Sequence, residues 1–145
     1  MRRVARRRLG ALVPRAAEHP AVYQRAGRAW VAQDHGEVVG YLLLNVVAGS
    51  AHIEQVSVDP THARQRVGAR LIEVVTEWAN QQGLLAMTLT SFAQVQWNAP
   101  YYATLGFVVV PEEDQPPALR AIRRAENERG LDAWPRVAMR RHLDD

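Results

Sequence analysis

The chain has 145 residues, 48% of them hydrophobic, which makes one domain of ordinary size with enough apolar side chains for a core and too many for intrinsic disorder. It contains no cysteine, which removes disulfides, thiolate nucleophiles and cysteine-ligated zinc together and makes a reducing cytoplasm the expected compartment. All 18 basic residues are arginine, spread in small groups for a formal net charge of +3, which points to anion affinity before nucleic-acid binding.

No apolar run approaches the ~20 residues of a membrane span. The opening MRRVARRRLGALVP is basic and then apolar, but its apolar part is too short for a secretion signal. Residues 2–8 are expected as an edge strand whose arginines guard it against pairing with other chains. Five arginines among the first eight residues could instead form a nucleic-acid arm. Between residues 9 and 28 a short helix and a loop are expected, interrupted by Pro14 and Pro20. Residues 29–33 and 38–47 read as antiparallel strands joined by a tight turn at Asp34-His35-Gly36-Glu37, whose residue types tolerate left-handed backbone. The run YLLLNVV is nearly all apolar and places its strand centrally in the sheet. Ala48-Gly49-Ser50 is the next turn.

The stretch AHIEQVSVDPTHARQRVGARLIEVVTEWANQQG, residues 51–83, organises the rest of the chain. It opens as a strand with His52, Glu54, Val56 and Val58 on one side and Ile53, Gln55 and Ser57 on the other. Asp59-Pro60 stops that strand, because proline cannot donate to a ladder. A basic loop leads to Gly68, after which Leu71, Ile72, Val74, Val75 and Trp78 recur at helical spacing, with Gly83 as the C-terminal cap. Strand, basic loop and helix in this order let backbone N–H groups and the positive helix end hold a phosphate. Residues 85–91 give another strand. In SFAQVQWNAPYYATLGF, Asn98 is the expected N-cap and Pro100 lies in the first turn of a short helix ending at Gly106. A strand at 107–110, an acidic proline-rich loop at 111–117, an amphipathic helix at 118–129 capped by Gly130, and a last strand at 137–143 complete the chain.

The segment VSVDPTHARQRVGARLIE resembles the cofactor motif of the GNAT superfamily of acetyl-CoA-dependent N-acetyltransferases: a strand ending in Val-x-Val, a Q/R-x-x-G-x-G/A loop, then a helix. YYATLGF is similar to that family's F-Y-x-x-L-G-F ending. The resemblance implies an α/β GNAT fold, a mixed and mostly antiparallel sheet of six or seven strands flanked by helices, as a single domain over residues 1–145. It implies acetyl-CoA as co-substrate, with the backbone of Val56, Ser57 and Val58 along the pantetheine arm. The loop Arg64, Gln65, Arg66, Val67, Gly68 and Ala69 would wrap the pyrophosphate. Two positions depart from the family pattern: Ala63 stands where Gln or Arg is usual, and Arg66 stands at the usual middle glycine. Tyr102 takes the family's tyrosine position, where its hydroxyl would donate a proton to the departing thiolate.

His52 and Glu54 lie about 6–7 Å apart along one strand face. The pair is similar to the strand residues that serotonin N-acetyltransferases use as bases, with Glu54 replacing the second histidine. A structural ion pair or a hydrogen-bonded strand histidine is the alternative. His19, His35, His62 and His142 are too scattered to argue for a metal. The expected function is acetyl transfer to the primary amine of a small molecule or peptide, by direct attack in a ternary complex, since no cysteine can carry an acyl intermediate. No membrane partner is expected. The brevity of residues 9–28, where the family places substrate-covering helices, suggests an open acceptor site or one completed in a homodimer. Two alternatives stand beside this function: a GNAT-fold module that binds acyl-CoA without turnover, and an RNA-engaging acetyltransferase acting on aminoacyl-tRNA.

Overall fold

The structure, a computed structural model, describes residues 2–5, 27–62, 66–93, 99–131 and 135–143. Among the described residues there are seven strands, β1 Arg2–Ala5, β2 Ala29–Asp34, β3 Glu37–Val47, β4 Ser50–Val58, β5 Ala86–Phe92, β6 Val108–Val110 and β7 Arg136–His142. The described residues also form three helices, α1 Val67–Gln81, α2 Ala99–Thr104 and α3 Pro117–Glu128, with 3-10 turns at Pro60–His62 and Glu112–Asp114. The hydrogen-bonded strand order is β1-β2-β3-β4-β5-β7-β6. β4 and β5 are parallel, which requires a crossover such as the one containing α1. The pairs β1–β2, β2–β3, β5–β7 and β6–β7 are antiparallel, so the sheet is mixed and mostly antiparallel as expected. The edge strand expected at residues 2–8 is observed at Arg2–Ala5. Arg6, Arg7 and Arg8, the helix expected after residue 9, and Asn98 lie outside the described residues.

Local chemistry accounts for most of these boundaries. The turn after β2 carries two consecutive positive φ angles, His35 at 52° and Gly36 at 84°, the backbone twist that a two-residue hairpin needs. The Asp59 carboxylate accepts hydrogen bonds from the Thr61 N–H at 3.0 Å and the Thr61 hydroxyl at 2.9 Å, which ends β4 in a 3-10 turn. Those two bonds, the backbone one first, hold the Asp59 carboxyl below its ordinary range.

The chain divides into two compact units, Met1–Asn45 with Ile53–Gln82, and Val46–His52 with Gly83–Asp145. In the first, β2 and β3 pair so that Val31 faces Tyr41 and Ala29 faces Leu43, and these four form a buried cluster with Val38 packed against it. Trp30 and Leu42, the alternate register pair, point the other way, where Trp30 meets Trp78 of α1 edge-on at 5.2 Å. α1 buries Val67, Ala69, Leu71, Ile72, Val75 and Ala79, one stripe at helical spacing. Leu71 is completely buried, which stabilises by about 1.5–3 kcal/mol. Residues 39–44 of β3 are all buried, so both faces of that strand are covered, as its apolar run dictates.

In the second unit β5 pairs with β7 from Ala86↔His142 to Phe92↔Arg136, and β6 lies on the other side of β7. Met87, Leu89, Phe107, Val110, Leu119 and Met139 make its core. The carboxylate of Glu126, buried on α3, accepts a hydrogen bond from Thr90 and pairs with Arg123 at 2.8 Å and Arg136 at 3.5 Å. Among the described residues no helix is long and apolar enough to cross a membrane.

Candidate active site

The end of β4 and the start of α1 come together around a glycine. Gly40, in the interior of β3, has the Ser57 carbonyl oxygen and Val67 Cγ1 each 3.0 Å from where a Cβ would stand. Only glycine admits that approach without a shift. Ser57 and Val67 are both residues expected to hold acetyl-CoA, so Gly40 positions two halves of that motif. Sequence reasoning passed over it; a glycine interrupting a strand was the available signal.

Arg66 precedes α1 with φ 60° and ψ 27°, the left-handed conformation that glycine adopts freely. The family's glycine position is thus left-handed here with a side chain in place, at a cost on the order of 1–2 kcal/mol. No side chain caps the N-terminus of α1 and no acidic residue lies in its first turn. Gly68 and Ala69 therefore belong to a helix end whose free N–H groups and positive dipole suit an anion. Val56, Ser57 and Val58 close β4 and are half-buried. Arg64 and Gln65 lie outside the described residues, as does Ala63.

His52 and Glu54 meet different surroundings. His52 is 2% exposed, and its Nδ1 lies 2.8 Å from the hydroxyl of Thr88, its register partner on β5. Glu54 is half-buried and accepts a hydrogen bond from Asn45 Nδ2 at 3.0 Å. That bond fixes the carboxylate through one oxygen and leaves Oε2 to take a proton or hold a water. Asn45 was not singled out from the sequence, although it is the polar residue within the run YLLLNVV. On the opposite face of β4, Gln55 donates to the buried Tyr41 hydroxyl at 2.8 Å.

Tyr102 lies on α2 with its ring edge-on to Tyr101 at 5.5 Å and to Phe107 at 6.0 Å. Its backbone carbonyl accepts from Leu105 and Phe107, closing the short helix before Gly106. Burial, with a smaller contribution from neighbouring Tyr101, pushes the phenol up to about 12. The group is protonated at every pH where an enzyme of this kind would work.

Comparison with known folds agrees with this layout. The chain is similar to N-acetylglutamate synthase from Neisseria gonorrhoeae, solved with coenzyme A and N-acetyl-glutamate, at a TM-score of 0.79 and 16% identity, over 100% of this chain and 36% of that one. It therefore spans about a third of that protein's length. It is similar to the ribosomal-protein-S18-alanine N-acetyltransferase from Escherichia coli at a TM-score of 0.66 and 15% identity, covering 100% and 96% of the two chains. An IAA acetyltransferase from Bacillus cereus matches at a TM-score of 0.69 and 14% identity, over 99% and 100%. At these identities the likeness is one of fold. Residues 5–107 match the family described as Acetyltransferase (GNAT), a span that contains the β4–α1 motif and Tyr102, and the chain belongs to that acetyltransferase family.

Proposed function

We propose that this protein transfers the acetyl group of acetyl-CoA to a primary amine by direct attack in a ternary complex. The observation that carries it is the start of α1: a left-handed Arg66, an uncapped helix end without acid in its first turn, and Gly40 drawing Ser57 and Val67 together. Arg64, Gln65, Arg66, Val67, Gly68 and Ala69 hold the pyrophosphate through backbone N–H groups and guanidinium charge. Val56, Ser57 and Val58 hold the pantetheine arm with their backbone.

Deprotonating a lysine-like amine at pH 7 costs roughly 4–5 kcal/mol, and an α-amine roughly 1–1.5 kcal/mol. Glu54 supplies the base through a water, oriented by Asn45, and His52 assists from beneath by fixing the strand through Thr88. The burial of His52 favours Glu54 as the group that meets the amine. Tyr102 donates a hydrogen bond to the thiolate as it forms. With its phenol near 12 and a thiol near 8.5, complete proton transfer would be uphill by about 5 kcal/mol, so the hydrogen bond is the useful part.

A thiol-release assay with acetyl-CoA and a panel of amino acids, peptides, polyamines and aminoacyl esters tests this. The names of the N-acetylglutamate synthase and the S18-alanine N-acetyltransferase put amino acids and peptides first. Glu54→Gln should lower the rate at pH 7 by about 10²-fold or more, with partial recovery at higher pH and unchanged acetyl-CoA affinity. Acetyl-CoA binding without turnover on any amine would instead leave a ligand-binding module.

A further inference from the structure

The second unit holds a cavity of about 570 Å³ that contains none of the residues assigned above to acetyl-CoA or to catalysis. Among the described residues four arginines line it, Arg120, Arg123, Arg124 and Arg136, and Glu112 is the one acidic residue in its lining. Arg120, Arg123, Arg124 and Asn127 follow the i, i+3, i+4, i+7 spacing with which a helix normally presents an apolar face. On α3 that stripe is cationic. Glu126 pairs with both Arg123 and Arg136, and its single negative charge offsets only one of the two. Arg120 donates only to the backbone carbonyls of Glu112 and Glu113, and the Arg124 guanidinium has no hydrogen-bond or ion-pair partner among the described residues. Arg136 Nε is buried without an acceptor.

Like charges at i, i+3 and i, i+4 destabilise a helix. Four arginines around a cavity of ligand size, two of them paired with the single carboxylate of Glu126 and Arg120 and Arg124 exposed, therefore carry a cost that an oxyanion would relieve, since guanidinium forks bind carboxylate and phosphate in bidentate fashion. We propose that this cavity binds a small doubly charged oxyanion, a dicarboxylate or a phosphate ester, with Arg120 and Arg124 as its principal contacts and Arg136 at its inner wall. The site is independent of acetyl transfer and can be measured without acetyl-CoA.

Calorimetric titration of the full chain with succinate and with glycerol 3-phosphate separates the two ligand classes. At least one should bind saturably in the millimolar range or tighter, and the tighter one names the class. Arg124→Gln should weaken that binding about tenfold or more. It should also leave the unfolding midpoint of the ligand-free protein unchanged or raised, because it removes a repulsion. Arg120→Gln gives an independent second variant. Saturating acetyl-CoA should leave the affinity unaltered. Absence of saturable binding at tens of millimolar, equal affinity in both variants, or mutual exclusion with acetyl-CoA would each overturn the proposal. None of these outcomes depends on whether the protein turns over an amine.

Discussion

Arg66 combines a backbone conformation unfavourable for folding with a proposed role in binding. Its left-handed backbone costs on the order of 1–2 kcal/mol, and the exposed guanidinium has no stabilising role that would offset this in the free protein. Arg66→Gly should therefore leave stability unchanged or raise it by up to about 1 kcal/mol in denaturant unfolding, the gain being trimmed by glycine's extra freedom when unfolded. The same change should weaken acetyl-CoA binding or leave it near neutral; a tenfold gain in affinity would mark the arginine as a defect. Tyr102 offers a different test, through pH. Below about pH 10 the phenol is protonated whether the chain is folded or not. Between about pH 10 and 12 the unfolded phenol ionises while the buried one does not, so stability falls across that window, by about 2–3 kcal/mol in all. Tyr102→Phe should flatten this alkaline decline. It should also lower turnover while leaving acetyl-CoA affinity nearly unchanged, because in the proposed mechanism the hydroxyl matters only as sulfur gains charge. The position of Tyr102 was legible from YYATLGF. Its burial was not, because a tyrosine at that spacing is compatible with either a wet or a dry ring.

At the scale of elements, turns and helix ends were legible because their causes are local. Asp59-Pro60, His35-Gly36 and the glycines after α1 and α3 each specify backbone geometry within a few residues, and the structure has a boundary at each. Gly40 was not legible, because its reason lies in residues 17 and 27 positions further along the chain, Ser57 and Val67. Asn45 was missed for the same reason: its partner Glu54 is on the neighbouring strand. Gly40→Ala places a methyl group 3.0 Å from a backbone oxygen that cannot rotate away, so β3, β4 and the first turn of α1 must shift. Overpacking of this kind costs about 1–3 kcal/mol. Because Ser57 and Val67 belong to the proposed acetyl-CoA site, the variant should also raise the dissociation constant for acetyl-CoA more than it lowers the rate at saturation. Calorimetry beside thermal unfolding checks both. A variant with lower stability and unaltered affinity would make Gly40 a packing residue alone.

For the molecule as a whole, alternating and helical hydrophobic periods were enough to recover most strands and the long helix, since those patterns decide which faces can be buried, whereas the mixed sheet followed from the resemblance of VSVDPTHARQRVGARLIE and YYATLGF to the GNAT family. They could not reveal the cationic stripe on α3 as a cavity wall, because a polar face at helical spacing normally reads as solvated surface. The most global expectation concerns ligand-linked stability. A ligand that binds only the folded chain adds RT ln(1 + [L]/Kd), about 2.7 kcal/mol at 100 times its dissociation constant. For a chain of this length that corresponds to a rise of roughly 5–10 °C in the unfolding midpoint. Tryptophan fluorescence is a suitable readout because Trp30 and Trp78 touch within the unit that carries residues 53–58 of β4 and all of α1. Acetyl-CoA should produce the shift, and CoA should produce much of it, since the pyrophosphate and pantetheine arm are common to both. Whichever of succinate and glycerol 3-phosphate binds the arginine cavity should move the midpoint too, and its effect should add to that of acetyl-CoA because the two proposed sites share no residue. No shift at millimolar acetyl-CoA, with no heat of binding, would remove acetyl-CoA as the ligand of the β4–α1 motif.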